Sequence, residues 1–393
     1  MQTANHKWLV TLATLAFSTL ASSAALGQNW ANPVSGSYGN PANWTPNGVP
    51  VNPTFDLNSS GYTVTLPSAE SATILTVQTD NPTLDLNGQT LTLGPVFSPT
   101  GLEISTQAGE IGSLTVLGPG SIIANAYNAV VNVGGSGTGQ LIVNGATIDF
   151  GGSNGTSLSE GSGSGITVEN GGRLVNAENG ATLNGSVVLN DGTLSSLADM
   201  SLGDGAMLSN HSTLSAVGNM TFDGNVTVDD STVSSSAGLF TKFTGSLTVS
   251  GGGTVGTTGT LTLPVTTTDL SGDIFSDSDM YYSGPGTTTI QLSASTNDPF
   301  GGASEGHYAG ILDFTLQNSF TPVIGENFNI FDYLGGDVGV FSAVNLPALP
   351  GGESWDISHL YSTGVISVVP EPASMTLLVA AAAGVLLRRR RGE

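Results

Sequence analysis

The sequence predicts an all-β fold, a right-handed parallel β-helix, and three observations carry that prediction. Apolar residues alternate with Thr, Ser and Asn at the period of two that a strand with one buried face requires. Short apolar segments of this kind recur along the middle of the chain, separated by Gly, Asn and Asp turns. Glycine is abundant, with 55 in 393 residues, while charged residues make up only 9%. A hydrophobic content of 38% is too high for a disordered chain. No stretch between Gln28 and Val369 carries a helical 3.6-residue period.

The recurring unit begins at Leu114-Thr115-Val116, Leu141-Ile142-Val143, Ile166-Thr167-Val168, Val187-Val188-Leu189, Val226-Thr227-Val228 and Leu247-Thr248-Val249, in steps of 27, 25, 21, 39 and 21 residues. The step of 39 has room for two turns, and Met207-Leu208 with Leu214 can supply the missing one. Asn144-Gly145, Asn170-Gly171 and Asp191-Gly192 offer the positive φ that tight turns need. Each unit is too short to bury an apolar face alone, whereas stacked units share one continuous core. A strict hexapeptide solenoid would keep a constant count; a parallel β-helix lets its turns vary. The same strand pairs also read as antiparallel hairpins of sandwich domains, because Asn-Gly is a strong hairpin signal.

The elements follow in order. Residues 28–83 read as an N-terminal cap and first strands, with Trp30, Tyr38 and Trp44 suited to closing one end. Residues 84–260 carry the solenoid repeats. Over 261–369 loops lengthen and aromatics gather, among them Tyr282, Phe300, Tyr308, Phe331 and Trp355. That region reads as a β-rich C-terminal cap or sandwich-like region, since an open solenoid end must be covered. The same aromatics also suit a platform for sugar stacking.

Charge and composition exclude several classes of function. All but two of the 30 Asp and Glu residues lie between Gln28 and Val369, where Arg173 and Lys242 are the only Lys or Arg. So acidic a surface repels nucleic acid and anionic membranes and favours divalent cations. Cysteine is absent, which removes disulfides and thiolate chemistry. His211, His307 and His359 lie far apart and form no zinc-binding spacing, and no phosphate-binding loop or dinucleotide fingerprint is present.

Candidate chemistry is sparse. Gly151-Gly152-Ser153-Asn154-Gly155 matches the nucleophile-elbow pattern in letters, but a Gly/Ser stretch stands where that motif needs a helix. Asp229-Asp230 offers paired carboxylates for inverting glycoside hydrolysis. Arg173 is the sole arginine that could act as the base of a calcium-dependent lyase. Asp273, Asp277 and Asp279 form an acidic loop able to gather calcium, although their spacing matches no known calcium loop. No residue is assigned a catalytic role and no cofactor is required; calcium is the one candidate ion.

The termini are the most informative segments. His6 and Lys7 precede an apolar stretch from Trp8 to Leu20, and Ala25-Leu26-Gly27 offers small residues for signal peptidase, so residues 1–27 read as a signal peptide with a signal helix. At the other end Pro370-Glu371-Pro372 is followed by an uncharged apolar run, 373–387, and by Arg388, Arg389, Arg390 and Arg391. As a transmembrane helix that run spans roughly 22 Å, short for a bilayer core of about 30 Å, and snorkelling arginines lengthen it. Four arginines hold their end in the cytoplasm and place the body outside.

Residues 370–393 thus resemble the PEP-CTERM sorting signal of Gram-negative bacteria. Trp30, Asn43-Trp44, Gly48-Val49-Pro50 and the segment Gly325 to Asp332 are similar to exported Gly-rich, autotransporter-like repeat proteins that carry such tails. The resemblance implies processing near the tripeptide by an exosortase, a membrane peptidase. It also implies transient anchoring in the inner membrane and release or re-anchoring at the envelope or in exopolysaccharide. The function expected is that of a non-catalytic cell-envelope or extracellular-matrix protein, structural or adhesive in association with exopolysaccharide. The alternative is a polysaccharide hydrolase or lyase on the same scaffold.

Overall fold

A computed structural model describes residues 27–371, apart from 95–100, 125–129, 151–156, 239, 265, 270–271, 283, 295, 303, 318–319, 334 and 336. The chain winds into a parallel β-solenoid of the right-handed type, about 12 turns long and almost without helix. Each full turn contributes one strand to each of three faces, and with the strands added at the two ends the sheets reach 15, 14 and 14 members. The signal helix and the transmembrane helix expected at the termini lie outside the described residues.

The stacking follows from the alternation in the sequence. On the second face Leu114 pairs with Leu141, Leu141 with Ile166, Ile166 with Val187, Val187 with Ala206, Ala206 with Val226 and Val226 with Leu247. The unit starts read from the sequence therefore occupy one interior column in strict register. Ala206-Met207-Leu208 supplies the turn missing from the long step. Parallel pairing throughout this region excludes the hairpin reading. Every member of the column is buried, and two residues later a second column runs through Val143, Val168, Leu189, Leu208 and Val228, each fully buried. Burying one such aliphatic side chain stabilises by about 1.5–3 kcal/mol, and because the column is continuous no coil owns its core alone.

The corners explain the polar turn residues. Between the second and third faces, Asn170, Asp191 and Asp230 adopt the left-handed conformation, with φ of 54°, 55° and 47°. Their short polar side chains tolerate that region and bond along the stack. Asn170 Nδ2 donates to Asn144 Oδ1 at 3.1 Å, and Asn210 Nδ2 donates to Asn190 Oδ1 at 2.6 Å. Between the first and second faces coils approach too closely for side chains: a Cβ on Gly224 would lie 2.2 Å from the carbonyl carbon of Asp204.

The stacked coils extend beyond the 84–260 over which the repeat is legible. Parallel pairing already joins Thr54 to Thr76 on the first face and continues to Leu312 and Val344 on the second. The first part of 261–369, as far as Asn345, thus holds further coils in parallel register, and its last strands pair antiparallel. The repeat is hidden there because Thr267 and Thr288 take the interior column positions next to Leu247. Both threonines are buried, and the Thr267 hydroxyl has no hydrogen-bond partner. A hydroxyl in an apolar column erases the pattern a reader looks for.

Both ends close with antiparallel strands and aromatics. At the start Trp30 pairs antiparallel with Trp44, and the two rings meet edge to face at 4.9 Å. Trp44 Nε1 donates to the Tyr38 carbonyl at 2.8 Å, and Tyr38, Trp44 and Phe55 are fully buried. At the far end the third face finishes with Asn327–Asp332, then Val365–Pro370 and Glu353–Asp356, both added antiparallel. The outermost strand, Glu353–Asp356, is short and carries a carboxylate at each end, which discourages further strand addition.

Candidate functional site

The sorting tripeptide emerges from the last of these antiparallel strands. Pro370 is the final residue of Val365–Pro370 and stands opposite Glu353. Proline lacks the N–H that an interior ladder position would demand, so it suits a strand terminus. Glu371 donates its N–H to the Gly352 carbonyl at 3.0 Å, and both Pro370 and Glu371 are exposed. Pro372 and Arg388, Arg389, Arg390 and Arg391 lie outside the described residues, as does the span 373–387.

Outside the solenoid the first face presents a single file of polar side chains, all of them small hydroxyls except Lys242. Thr182, Ser201, Thr221, Lys242 and Thr262 sit side by side on five successive coils. A shallow groove of about 240 Å³ crosses this file, lined by Asn179, Thr182, Asp199, Ser201, Thr221 and Phe240. Phe240 is 39% exposed, although Phe222 and Phe243 stack at 4.5 Å in the core on the same face. Its backbone N–H is held by Asn219 Oδ1 at 3.1 Å, and Asn219 N donates to Asp199 Oδ1 at 2.7 Å. An aromatic wall over a floor of hydroxyls, an amide and a carboxylate matches the two sides of a sugar ring, one apolar and one hydroxylated. Sequence reading passed over this groove because its residues come from separate coils and each looks like ordinary turn composition.

The candidate residues fall elsewhere. Ser153 lies outside the described residues. Asp229 ends a second-face strand and accepts from Ser250 Oγ at 2.8 Å, while Asp230 occupies the left-handed corner and meets His211 Nε2 at 3.3 Å. Each carboxylate is thus engaged by a different neighbouring coil. Arg173 stands in the third-face file between Thr147 and Thr193. Of the C-terminal aromatics, Tyr282, Phe300, Tyr308, Phe331 and Phe341 are buried in the core, whereas Trp355 is half-buried and Tyr281 lies on the surface.

The acidic trio is likewise split. Asp273 lies on the third face beside Thr254, Asp277 follows in the turn, and Asp279 opens the next first-face strand. Asp279 instead meets Glu305 and His307 of the following coil, all three offering ligand atoms within 4.8 Å of one another. Buried carboxylates are rare among the described residues. Asp80 accepts from Leu57 N, Ser59 N, Asn81 N and the Tyr62 hydroxyl and so ties down an N-terminal corner. Glu160, also fully buried, receives one N–H from Gly185 at 3.3 Å and leaves Oε1 unpartnered. Desolvation pushes its pKa up to about 8.

Residues 368–391 match the family model of the PEP-CTERM protein-sorting motif. The chain carries a PEP-CTERM tail. That tail implies an exported protein, transiently anchored in the membrane and sorted by exosortase. Comparison with curated proteins and with solved structures found no match.

Proposed function

We propose that this protein is a non-catalytic component of the cell envelope or extracellular matrix, delivered through its PEP-CTERM tail and holding exopolysaccharide along the outer faces of the solenoid. Signal peptidase removes residues 1–27 and an exosortase processes the tail near Pro370-Glu371-Pro372. The body ends at the cell surface or in the matrix, where its negative charge keeps it soluble and away from nucleic acid.

The groove beside Phe240 carries this reading. It is open, aromatic on one side and hydroxyl-lined on the other, and it sits on a rigid ladder of parallel strands. Rigid placement limits the ordering cost of binding a chain-like ligand. The acidic residues of the corners bond to neighbouring coils, as Asp229 does to Ser250 and Asp230 to His211, which supports a structural role for them.

The test is binding and turnover against an array of bacterial and algal polysaccharides, with calcium and with chelator. Retention of a glycan without release of oligosaccharides is expected, and Phe240→Ala should weaken it by about tenfold, the loss of one stacking contact. Oligosaccharide release abolished by substituting Asp229 and Asp230 would replace this reading with that of a polysaccharide-degrading enzyme.

A further inference from the structure

Parallel stacking places like residues beside like, and near the C-terminal end of the first face it places two carboxylates together. Asp279 is directly in register with Glu305, and Tyr281 with His307, on adjacent hydrogen-bonded strands. Their neighbours Met280 and Gly306 are buried, so by alternation all four point outward. Like charges directly opposite on paired strands repel. In a body so short of lysine and arginine, a cation is the natural counter-charge.

The third donor is better prepared than an ordinary surface histidine. The His307 ring stacks on Tyr281 with centroids 4.1 Å apart and planes within 6°. Its Nε2 lies 3.6 Å from Glu305 Oε2, is shielded from solvent and has no hydrogen-bond partner. A buried ring nitrogen without a partner costs free energy that a ligand at that position would recover. Two carboxylate oxygens and one imidazole nitrogen fit a borderline divalent ion of the zinc class, with a fourth position open to water or to an external oxygen ligand. Calcium, which takes six to eight oxygens, is poorly matched by this set.

We propose that Asp279, Glu305 and His307 form a surface site for a zinc-class divalent ion, with Tyr281 fixing the imidazole ring. This site is independent of the polysaccharide groove, which lies on earlier coils. The sequence cannot announce it as a spacing motif, because Asp279 and the Glu305-Gly306-His307 strand become neighbours only through the coil between them.

The experiment is equilibrium dialysis and isothermal titration of the full-length protein in detergent with zinc chloride. One zinc per chain is expected, with affinity reduced by at least about tenfold in His307→Phe, which keeps a ring on Tyr281, and in Glu305→Gln. His211→Phe, which removes the exposed histidine paired with Asp230, should leave zinc uptake unchanged. Far-UV circular dichroism of each variant checks that the coils remain folded. Absence of uptake, uptake that survives both His307→Phe and Glu305→Gln, or uptake that follows His211 would overturn the proposal. So would displacement of zinc by an equal concentration of calcium.

Discussion

The coils between Gly165 and Thr257 and those between Asp279 and Gly339 share one three-faced frame but fill it differently. In the central group the second-face column advances by about 20 residues per coil through Ile166, Val187, Ala206, Val226 and Leu247, and the corners between the second and third faces turn on one or two left-handed residues. In the C-terminal group the steps lengthen, as from Thr288 to Leu312 and on to Val344, and the core becomes aromatic. Tyr282, Tyr308, Phe331 and Phe341 lie within 4.9–6.1 Å of one another, ring to ring. Step length alone does not dictate this, because Leu84, Val116 and Val143 stand 32 and 27 residues apart on the same face and remain aliphatic. The aromatic filling is a property of the C-terminal end, where large rings pack the interior at close to crystalline density.

The contrast between aliphatic and aromatic cores can be broken from the aromatic side. Phe331 contacts Tyr282, Phe300, Tyr308, Tyr333 and Phe341, so Phe331→Ala should destabilise the C-terminal coils by about 4 kcal/mol. Because solenoid coils contact only their neighbours, denaturant unfolding followed by circular dichroism should split into two transitions, the earlier one belonging to these coils. A single transition shared with the wild type would show that aromatic and aliphatic coils melt as one.

A second expectation tests the edge of the central group through a buried acid that accepts from its Gly185 N–H. Glu160 has a folded pKa of about 8, above its ordinary 4.5, so its contribution to stability is complete below pH 4.5 and is lost as pH rises through 8. Glu160→Gln should be close to neutral at pH 5 and stabilising by about 3 kcal/mol at pH 9. Thermal melting at the two pH values measures the difference. An equal effect at both would mean that the carboxyl is not held neutral.

The smallest of the three probes the narrow corner. Gly224→Ala forces a methyl group toward the Asp204 carbonyl carbon and should cost about 2 kcal/mol. The same substitution at Gly351, where a Cβ would meet nothing within 4 Å, should change the melting temperature little. If both behave alike, coil spacing is softer than the stacked geometry implies.

The fold was legible where interior residues are aliphatic and turns carry Asn-Gly or Asp-Gly. Leu114, Leu141, Ile166 and Val187 declare a column because nothing polar interrupts it. It became illegible where Thr267 and Thr288 enter the same column, since their hydroxyls read as a surface. The groove and the Asp279, Glu305 and His307 group were hidden for a different reason. In a solenoid, residues about one coil apart meet, and a reader scanning for short motifs never sets them side by side. The tail, by contrast, is contiguous, and its order of tripeptide, apolar run and arginines survives in the letters.

The antiparallel strand Val365–Pro370 gives the tail a further meaning. Its outer partner is Glu353–Asp356 and its inner partner is Asn327–Asp332, so it is the final stitch of the third face. A peptidase cutting after Pro370 leaves that stitch in place, whereas one cutting before Val365 strips it and bares the edge of Asn327–Asp332. Since the sorting motif begins within that strand, the closing ladder of the third face and the start of the tail share Pro370, and where the chain is cut decides whether the solenoid keeps its end.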